Sequence, residues 1–470
     1  MMPECINPEN TEFVILSFEG PDRYSLAGGL GVRVVNLSQT LSRLGFNTRL
    51  FFIGDPGLRG EEVKDRLILH RWCQWISEYY PLGVYQGEEG KLNDFNSSAP
   101  NFIIERVVKP AVARGKFVVV LGEEWHTAEA MCRLSDELRR NGLRDNAVMF
   151  WNANNTFGFE RINWGRLASS ATITTVSRYM RHIMRGMDVN PLVIPNGIPN
   201  ALLDNVDVRA SARLRKSIKA DSVLTKVARW DPDKQWVAAV EATARLKARG
   251  TKPVLLARGG MEAHGGEVLY KARSLGLTVK EVSAAGNSME DYFQAFRNVE
   301  EADVLDIRFH CPQEFLRIVF HASDAVLANS RHEPFGLVGL ETMAAGGIAF
   351  TGNTGEDYAV PFLNSVVLET SDPKEIETNV IHLEQHPDES KRMRKAARET
   401  AGQFTWERVA EHLIRKLEYQ ARAQGIMAQP QWSCVQEPQP LRFGKARHEM
   451  PPVAGADFGR KHGARAVALL

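Results

Sequence analysis

From residue 13 to about residue 424, short runs of β-branched and aromatic residues alternate with amphipathic stretches. This is the pattern of a parallel sheet whose strands are joined by crossover helices. FVILSF (residues 13–18) predicts the first strand. A Gly-rich loop follows it, then a helix over residues 32–44 stopped by Gly45, then a strand over residues 48–53. KFVVVLG (116–122), AVMFWN (147–152), TITTVS (172–177) and PLVIPNG (191–197) continue the alternation.

A second series starts near Val223 with VLTKVARW and runs through KPVLLARGG, VLDIRFH, AVLANS and GIAFTGN, each followed by a loop and usually a helix. Between the two series lies NALLDNVDVRASARLRKSIKAD, charged and without a strand pattern, so the chain divides there into two α/β halves. The expected boundaries are residues 1–205 and 206–404, followed by a helix over 405–424 that packs back on the first half. Residues 425–470 are punctuated by Pro and Gly without periodicity and read as a flexible tail.

A length of 470 residues exceeds what one hydrophobic core sustains, in keeping with two domains. Apolar residues make up 44%, charged residues 24%, and the formal charge is +1, so no global attraction draws the chain to nucleic acid or anionic lipid. Five scattered cysteines without a C-x-x-C pair fit a reducing cytoplasm. The opening MMPECINPENTEF lacks a leader pattern, and no apolar run reaches the ~18 residues a membrane helix needs. A cytoplasmic protein is therefore expected.

The segment richest in chemistry is NSRHEPFGLVGLETMAAGG, residues 329–347. It follows the predicted strand AVLAN and so lies at a strand's carboxyl end, where open α/β sheets bind ligands. Glu333 falls in the loop, and Pro334 suits the entry of a helix over FGLVGLETMAA. Backbone N–H groups around Phe335, Gly336, Leu337 and Val338, with the positive end of the helix dipole, favour a diphosphate. Glu341 lies about one turn into the helix, so both carboxylates can reach one ligand. Beside a diphosphate they are tolerated when they accept hydrogen bonds from hydroxyls, such as those of a sugar and a ribose. The residue types alone also allow a solvated Glu341 and an incidental Glu333.

The run E-P-F-G-L-V-G-L-E resembles the E-x7-E motif of retaining GT-B glycosyltransferases of family 4 (glycosyltransferase group 1), with glycogen-synthase-like features. The likeness covers most of residues 13–424 in pattern and is densest over 323–358. It implies an α/β GT-B fold, two Rossmann-like domains facing a central cleft, and transfer of a sugar from a nucleotide-diphosphate donor to an acceptor hydroxyl with retention. By the same resemblance Glu333 meets the transferred sugar and Glu341 the nucleoside ribose.

KVARWDPDKQW (226–236) directly follows the first predicted strand of the second half. Arg229 and Lys234 flank a turn, where a forked guanidinium and a point ammonium stabilise a departing diphosphate. The family has a similar pair in that role. Asp231 and Asp233 spell D-x-D, which binds metal in unrelated glycosyltransferases. The simpler reading is a helix start, with Asp231 as N-cap, Pro232 at the first helical position and Asp233 favouring the dipole of a helix running toward Lys247. No metal or other cofactor is expected.

In the first half, the AGGLG of residues 27–31 places Gly28 and Gly29 where backbone can approach a ligand closely. The family has a similar Gly-Gly-Leu loop beside the donor phosphates. The near match to G-x-G-x-x-G departs from the dinucleotide fingerprint, because residues 19–27 separate its glycines from the strand. Glu124-Trp125-His126-Thr127 resembles the Asp-Trp-His-Thr of glycogen-synthase-like enzymes, with Glu in place of Asp. His126 would then lie near the transferred sugar; the alternative is a helix-start histidine bonded to the scaffold. Ser177 and the Asn196-Gly197 turn also match the family. Trp72, Trp75, Tyr79 and Tyr80 at helical spacing read as a core stripe, with a sugar-binding face as the alternative. Arg178, Arg181 and Arg185 form either a solvated helix face or a lipid-docking one.

The combined reading is a glycosyltransferase that takes a nucleotide-diphosphate sugar and a saccharide or other hydroxyl acceptor, with no nucleic-acid partner and peripheral membrane contact as the lesser reading. A sugar-nucleotide-binding scaffold without turnover, or a GT-B relative such as an epimerase or phosphorylase, stays open. Nucleotide base, sugar, acceptor, linkage and oligomeric state are not written in these motifs.

Overall fold

Strands buried on both faces read as unbroken apolar runs, and central strands of this chain such as FVVVLG and AVMFW are such runs. The computed structural model describes residues 3–429. Its first sheet comprises β1 (Thr11–Leu16), β2 (Asn47–Ile53), β3 (Glu61–Lys64), β4 (Leu67–Trp72), β5 (Phe117–Glu123), β6 (Ala147–Ala153), β7 (Thr172–Thr175) and β8 (Leu192–Val193). The spatial order is β3-β4-β2-β1-β5-β6-β7-β8, parallel except for the β3–β4 edge pair. Every residue of β1, β5 and β6 is buried.

The second sheet comprises β9 (Ser222–Val227), β10 (Pro253–Arg258), β11 (Val279–Val282), β12 (Val304–Ile307), β13 (Ala325–Ala328), β14 (Ala349–Thr351) and β15 (Val366–Val367). Its order is β11-β12-β10-β9-β13-β14-β15 and all its pairs are parallel. In both sheets the chain starts in the middle, builds outward on one side, then returns to build on the other. The reversal falls between β1 and β5 in the first sheet and between β9 and β13 in the second. Loops leaving these strands diverge to opposite faces and leave a crevice at the carboxyl ends, which is where such sheets bind ligands.

The chain crosses between the halves twice. Ile198 bridges Thr405, with Ile198 N–H donating to Phe404 O at 2.8 Å and Trp406 N–H to Ile198 O at 3.1 Å. The helix Trp406–Ala423 then lies on the first half, where Trp406, Val409, Leu413 and Leu417 share a core with Phe13, Val34, Leu41 and Phe52. Order continues past the expected start of the tail: Met427 is buried in that core and Ala428 N–H donates to Pro3 O at 3.0 Å. The rest of the predicted tail lies outside the described residues.

The aromatic stripe of residues 72–80 does not form a core face. Trp72 ends β4, Cys73 turns the chain with φ 57°, and the helix that follows, Gln74–Ser77, has a single turn. Trp75 and Tyr79 consequently stand 63% and 76% exposed. Among the described residues, no helix is long and apolar enough to cross a membrane.

Candidate active site

The loops after β9 and β13 meet at the second reversal point. Past β9 comes Arg229, then Asp231, whose Oδ1 accepts the Asp233 N–H at 2.8 Å and caps a 3₁₀ turn, Pro232–Lys234. The α-helix predicted to start there begins only at Trp236, because Gln235 takes up a left-handed conformation (φ 56°). The break turns Lys234 out of the helix and toward the loop after β13. There its Nζ lies 3.0 Å from Glu333 Oε2, and Ser330 Oγ donates to the same carboxylate oxygen at 3.0 Å. Both Lys234 and Glu333 side chains are only 21% exposed, so solvent screens this pair less than a surface ion pair.

Glu333 is held by its own loop. Its N–H donates to Thr354 Oγ1 at 3.0 Å, and Thr354 in turn leans on Glu356, which is buried and pushed up to about 7 chiefly by that burial. The helix Leu337–Ala344 begins after Gly336, not at Phe335, because Gly336 adopts φ 83° as its N-cap. The Tyr358 hydroxyl donates to the Gly336 carbonyl. A Cβ at Gly336 would sit 2.8 Å from Glu356 Cγ and 2.9 Å from Tyr358 Oη. Gly336→Ala is therefore expected to lower stability by about 1–3 kcal/mol, the scale of a non-glycine residue forced left-handed. Denaturant midpoints read this effect; an unchanged midpoint would mean that the loop relaxes freely.

Arg229, Lys234, Ser330, Glu333 and Gly336 line a cavity of about 380 Å³. Arg229, Lys234 and Glu333 form one wall, and residues 335–338 bring in the first amides of the helix, which have no intrahelical acceptor. The opposite wall comes from the first half: Gly29, Leu30, Asn154, Asn155 and Asn196. The floor is Lys226, which motif reading passed over. Its Nζ donates to Leu327 O at 3.0 Å and Asn329 Oδ1 at 2.8 Å, and burial, aided by the nearby Lys234, pushes its pKa down to about 7. A lysine interrupting the apolar run VLTKV was the available signal.

Three predicted site residues stand apart from this cavity. Gly28 does not line it, because its N–H is taken by Glu19 Oε2 at 2.8 Å, which also accepts from Ala27 at 3.1 Å and Gly31 at 3.0 Å. The Gly-rich loop is thus organised around its own carboxylate, and Gly29 is the glycine that faces the cavity. Glu341 lies one turn deeper along the helix than the lining residues. Burial raises its carboxyl to about 7, offset by a hydrogen bond with Gln313.

His126 is buried between Phe18 and Trp125, with ring centroids at 4.2 and 3.9 Å, and its Nε2 lies 2.8 Å from Glu88 Oε1. Burial pushes its pKa down to about 3, so it is neutral near pH 7. The cause is local: Glu124 has φ 66° and turns the residues after β5 inward. In place of His126, Asn154 and Asn155 reach the cavity from the loop after β6. Glu124 Oε1 accepts from Asn154 N–H at 2.7 Å and from Asn155 Nδ2 at 3.3 Å, and burial raises this carboxyl to about 8. Ser177 caps the helix Arg178–Arg185 by accepting the Met180 N–H. Arg33 pairs with Glu123 at 3.0 Å and donates to Asn196 Oδ1 at 2.7 Å, fixing the turn on the cavity's first-half side.

Residues 211–400 match the family model of glycosyl transferases group 1. No curated protein sequence matches the chain. Among solved structures, a sucrose-phosphate synthase from Thermosynechococcus elongatus superposes with a TM-score of 0.63 at 17% identity, covering 88% of this chain and 99% of that one. The catalytic domain of starch synthase IV from Arabidopsis thaliana, bound to ADP and acarbose, gives 0.62 at 15% identity over 88% and 100%. HepE from Anabaena, in complex with UDP and glucose, gives 0.57 at 14% identity over 86% and 99%. At these identities the likeness is one of fold, and the fold is GT-B.

Proposed function

We propose, for a GT-B chain whose residues 211–400 match the family model of glycosyl transferases group 1, that the protein transfers a sugar from a nucleotide-diphosphate sugar to an acceptor hydroxyl with retention at the anomeric carbon. The observation that carries this reading is the convergence of Arg229, Lys234 and Glu333 with a helix N-terminus at one reversal point of the second sheet. Cations and amides are suited to a diphosphate, and an adjacent carboxylate to the hydroxyls of the sugar it carries.

In the reaction, the bond between the anomeric carbon and the diphosphate oxygen breaks while the acceptor oxygen bonds to that carbon from the same face. The acceptor's proton passes to the departing phosphate oxygen. Arg229, Lys234 and the amides of residues 336–338 stabilise the negative charge that grows on the leaving group. Glu333, now paired with Lys234, would accept from the transferred sugar, and Glu341, half-buried one turn beyond the lining residues on the same helix, would hold a ribose that extends past the cavity.

The complexes with UDP and ADP recorded for HepE and the starch synthase support a nucleotide-sugar donor here. A reducing, cytoplasmic setting belongs to the same reading, since the cysteines among the described residues, Cys5, Cys73, Cys132 and Cys311, are unpaired.

The reaction is expected to need no metal, because Asp231 already accepts the Asp233 amide and Asp233 already faces His332 Nδ1 at 2.8 Å. A thermal-shift panel of UDP-, ADP- and GDP-sugars, run in excess chelator, tests both points. One donor class should stabilise the protein, by ~2.7 kcal/mol at about 100 times its Kd. Stabilisation that appears only on adding Mg²⁺ or Mn²⁺ would restore the metal reading of Asp231 and Asp233, and no stabilisation by any donor would remove the proposal.

A further inference from the structure

Retention by same-face attack places a geometric demand on the acceptor. Its hydroxyl must arrive beside the departing diphosphate, so its pocket must share the residues that bind the diphosphate. A second cavity, of about 840 Å³, meets that demand: Arg229, Lys234, Asn155 and Pro334 line both it and the donor cavity. Its volume falls in the range of about 300–1,000 Å³ typical of small-molecule sites.

The remaining lining has a definite chemistry. Phe157, on the loop after β6, is 73% exposed, a large aromatic surface that no core packing accounts for. The loop that presents it is fixed, since Phe157 N–H donates to Asn155 Oδ1 at 2.7 Å and Asn155 is tied to Glu124. Tyr179, on the helix Arg178–Arg185, contributes a half-buried ring. The second half contributes Asp231, Asp233 and His332, with Asp233 Oδ1 facing His332 Nδ1 at 2.8 Å. Burial, and after it the charge of Asp233, pushes the Tyr179 phenol up.

Aromatic surface opposite carboxylates suits a ring with one C–H face and several hydroxyl donors. It does not suit a phosphorylated ring. Once the donor is bound, its diphosphate engages Arg229 and Lys234, and the charged groups left facing the second cavity are Asp231, Asp233 with His332 against it, and the diphosphate itself. A dianionic phosphate entering there meets like charge in a partly enclosed space.

We propose that this cavity is the acceptor subsite and that it takes a neutral polyhydroxylated ring, a saccharide without phosphate, seated between Phe157 and Tyr179 with its hydroxyls on Asp233, His332 and Asn155. This rests on the donor assignment made above. It also separates this protein by specificity from its structural relative named for a sugar phosphate product, the sucrose-phosphate synthase.

The test is ligand-observed saturation-transfer NMR on the full chain loaded with the nucleoside diphosphate selected by thermal shift. The probes are glucose, mannose, galactose, fructose and maltose on one side, and glucose 6-phosphate and fructose 6-phosphate on the other. At least one neutral sugar should receive saturation on its ring protons, and Phe157→Ala should reduce that signal by at least fivefold while leaving nucleoside diphosphate affinity within twofold. The phosphates should receive none until Asp231→Asn and Asp233→Asn are combined, which should admit them. Saturation of a phosphate by the wild type, no saturation of any neutral sugar, or a Phe157→Ala signal equal to wild type would each overturn the acceptor assignment. Failure of every nucleoside diphosphate to bind would instead remove the donor reading on which it stands.

Discussion

Lys234→Ala is expected to cut kcat by roughly 10²–10³, the scale of losing one preorganised electrostatic contact to developing charge, while changing the affinity for nucleoside diphosphate far less. Lys234 is aimed by structure around it. The left-handed Gln235 separates the turn carrying Lys234 from the helix that follows, and Glu333 and Ser330 hold the ammonium in place before any ligand arrives. A preoriented charge need not reorganise as the glycosidic bond breaks, so its effect falls on the transition state more than on ground-state binding. Steady-state kinetics with saturating acceptor check this. A rise in donor KM with kcat unchanged would mean that Lys234 binds substrate and transition state equally.

Glu333→Gln should also lower kcat, by roughly 10², although the substitution preserves size. The loss has two sources. The amide no longer presents a charged acceptor to the transferred sugar, and it holds the Lys234 ammonium, 3.0 Å away in the wild type, less firmly in place. Nucleoside diphosphate, which lacks the sugar, should still bind. Since the two side chains touch, the double variant should lose less than the sum of the single losses expressed as free energies. Strict additivity in that cycle would mean that the two residues act independently.

Much of this was legible in the sequence, for identifiable reasons. Central parallel strands such as FVVV and VMFW are apolar on both faces, so their positions stand out without any structural knowledge. The loops after β9 and β13 follow such strands, and their residues (Arg229, Lys234, Glu333) do converge.

What the sequence does not carry is strand order. That β9 and β13 are neighbours, with Val326 beside Thr225, is a pairing between distant segments, and it is what creates the crevice. Backbone exceptions were equally hidden. The left-handed Glu124 turns His126 away from the cavity, the left-handed Cys73 dissolves the aromatic stripe, and Gly336 delays the start of the helix beyond Pro334. Nor did spacing reveal that Glu19 occupies the amide of Gly28, because an internal carboxylate can mimic a bound anion only once the loop has folded around it.

The central claim is sugar transfer with retention at the Arg229, Lys234 and Glu333 site, and the anomeric configuration of the product tests it most directly. The wild-type protein, its preferred α-linked nucleotide sugar and a neutral saccharide acceptor should be followed by ¹H NMR through a full time course. The account predicts release of nucleoside diphosphate with an α-linked product from the first turnover, and loss of that signal in Lys234→Ala. A β-linked product, or an α-linked product formed equally fast without Lys234, would contradict it.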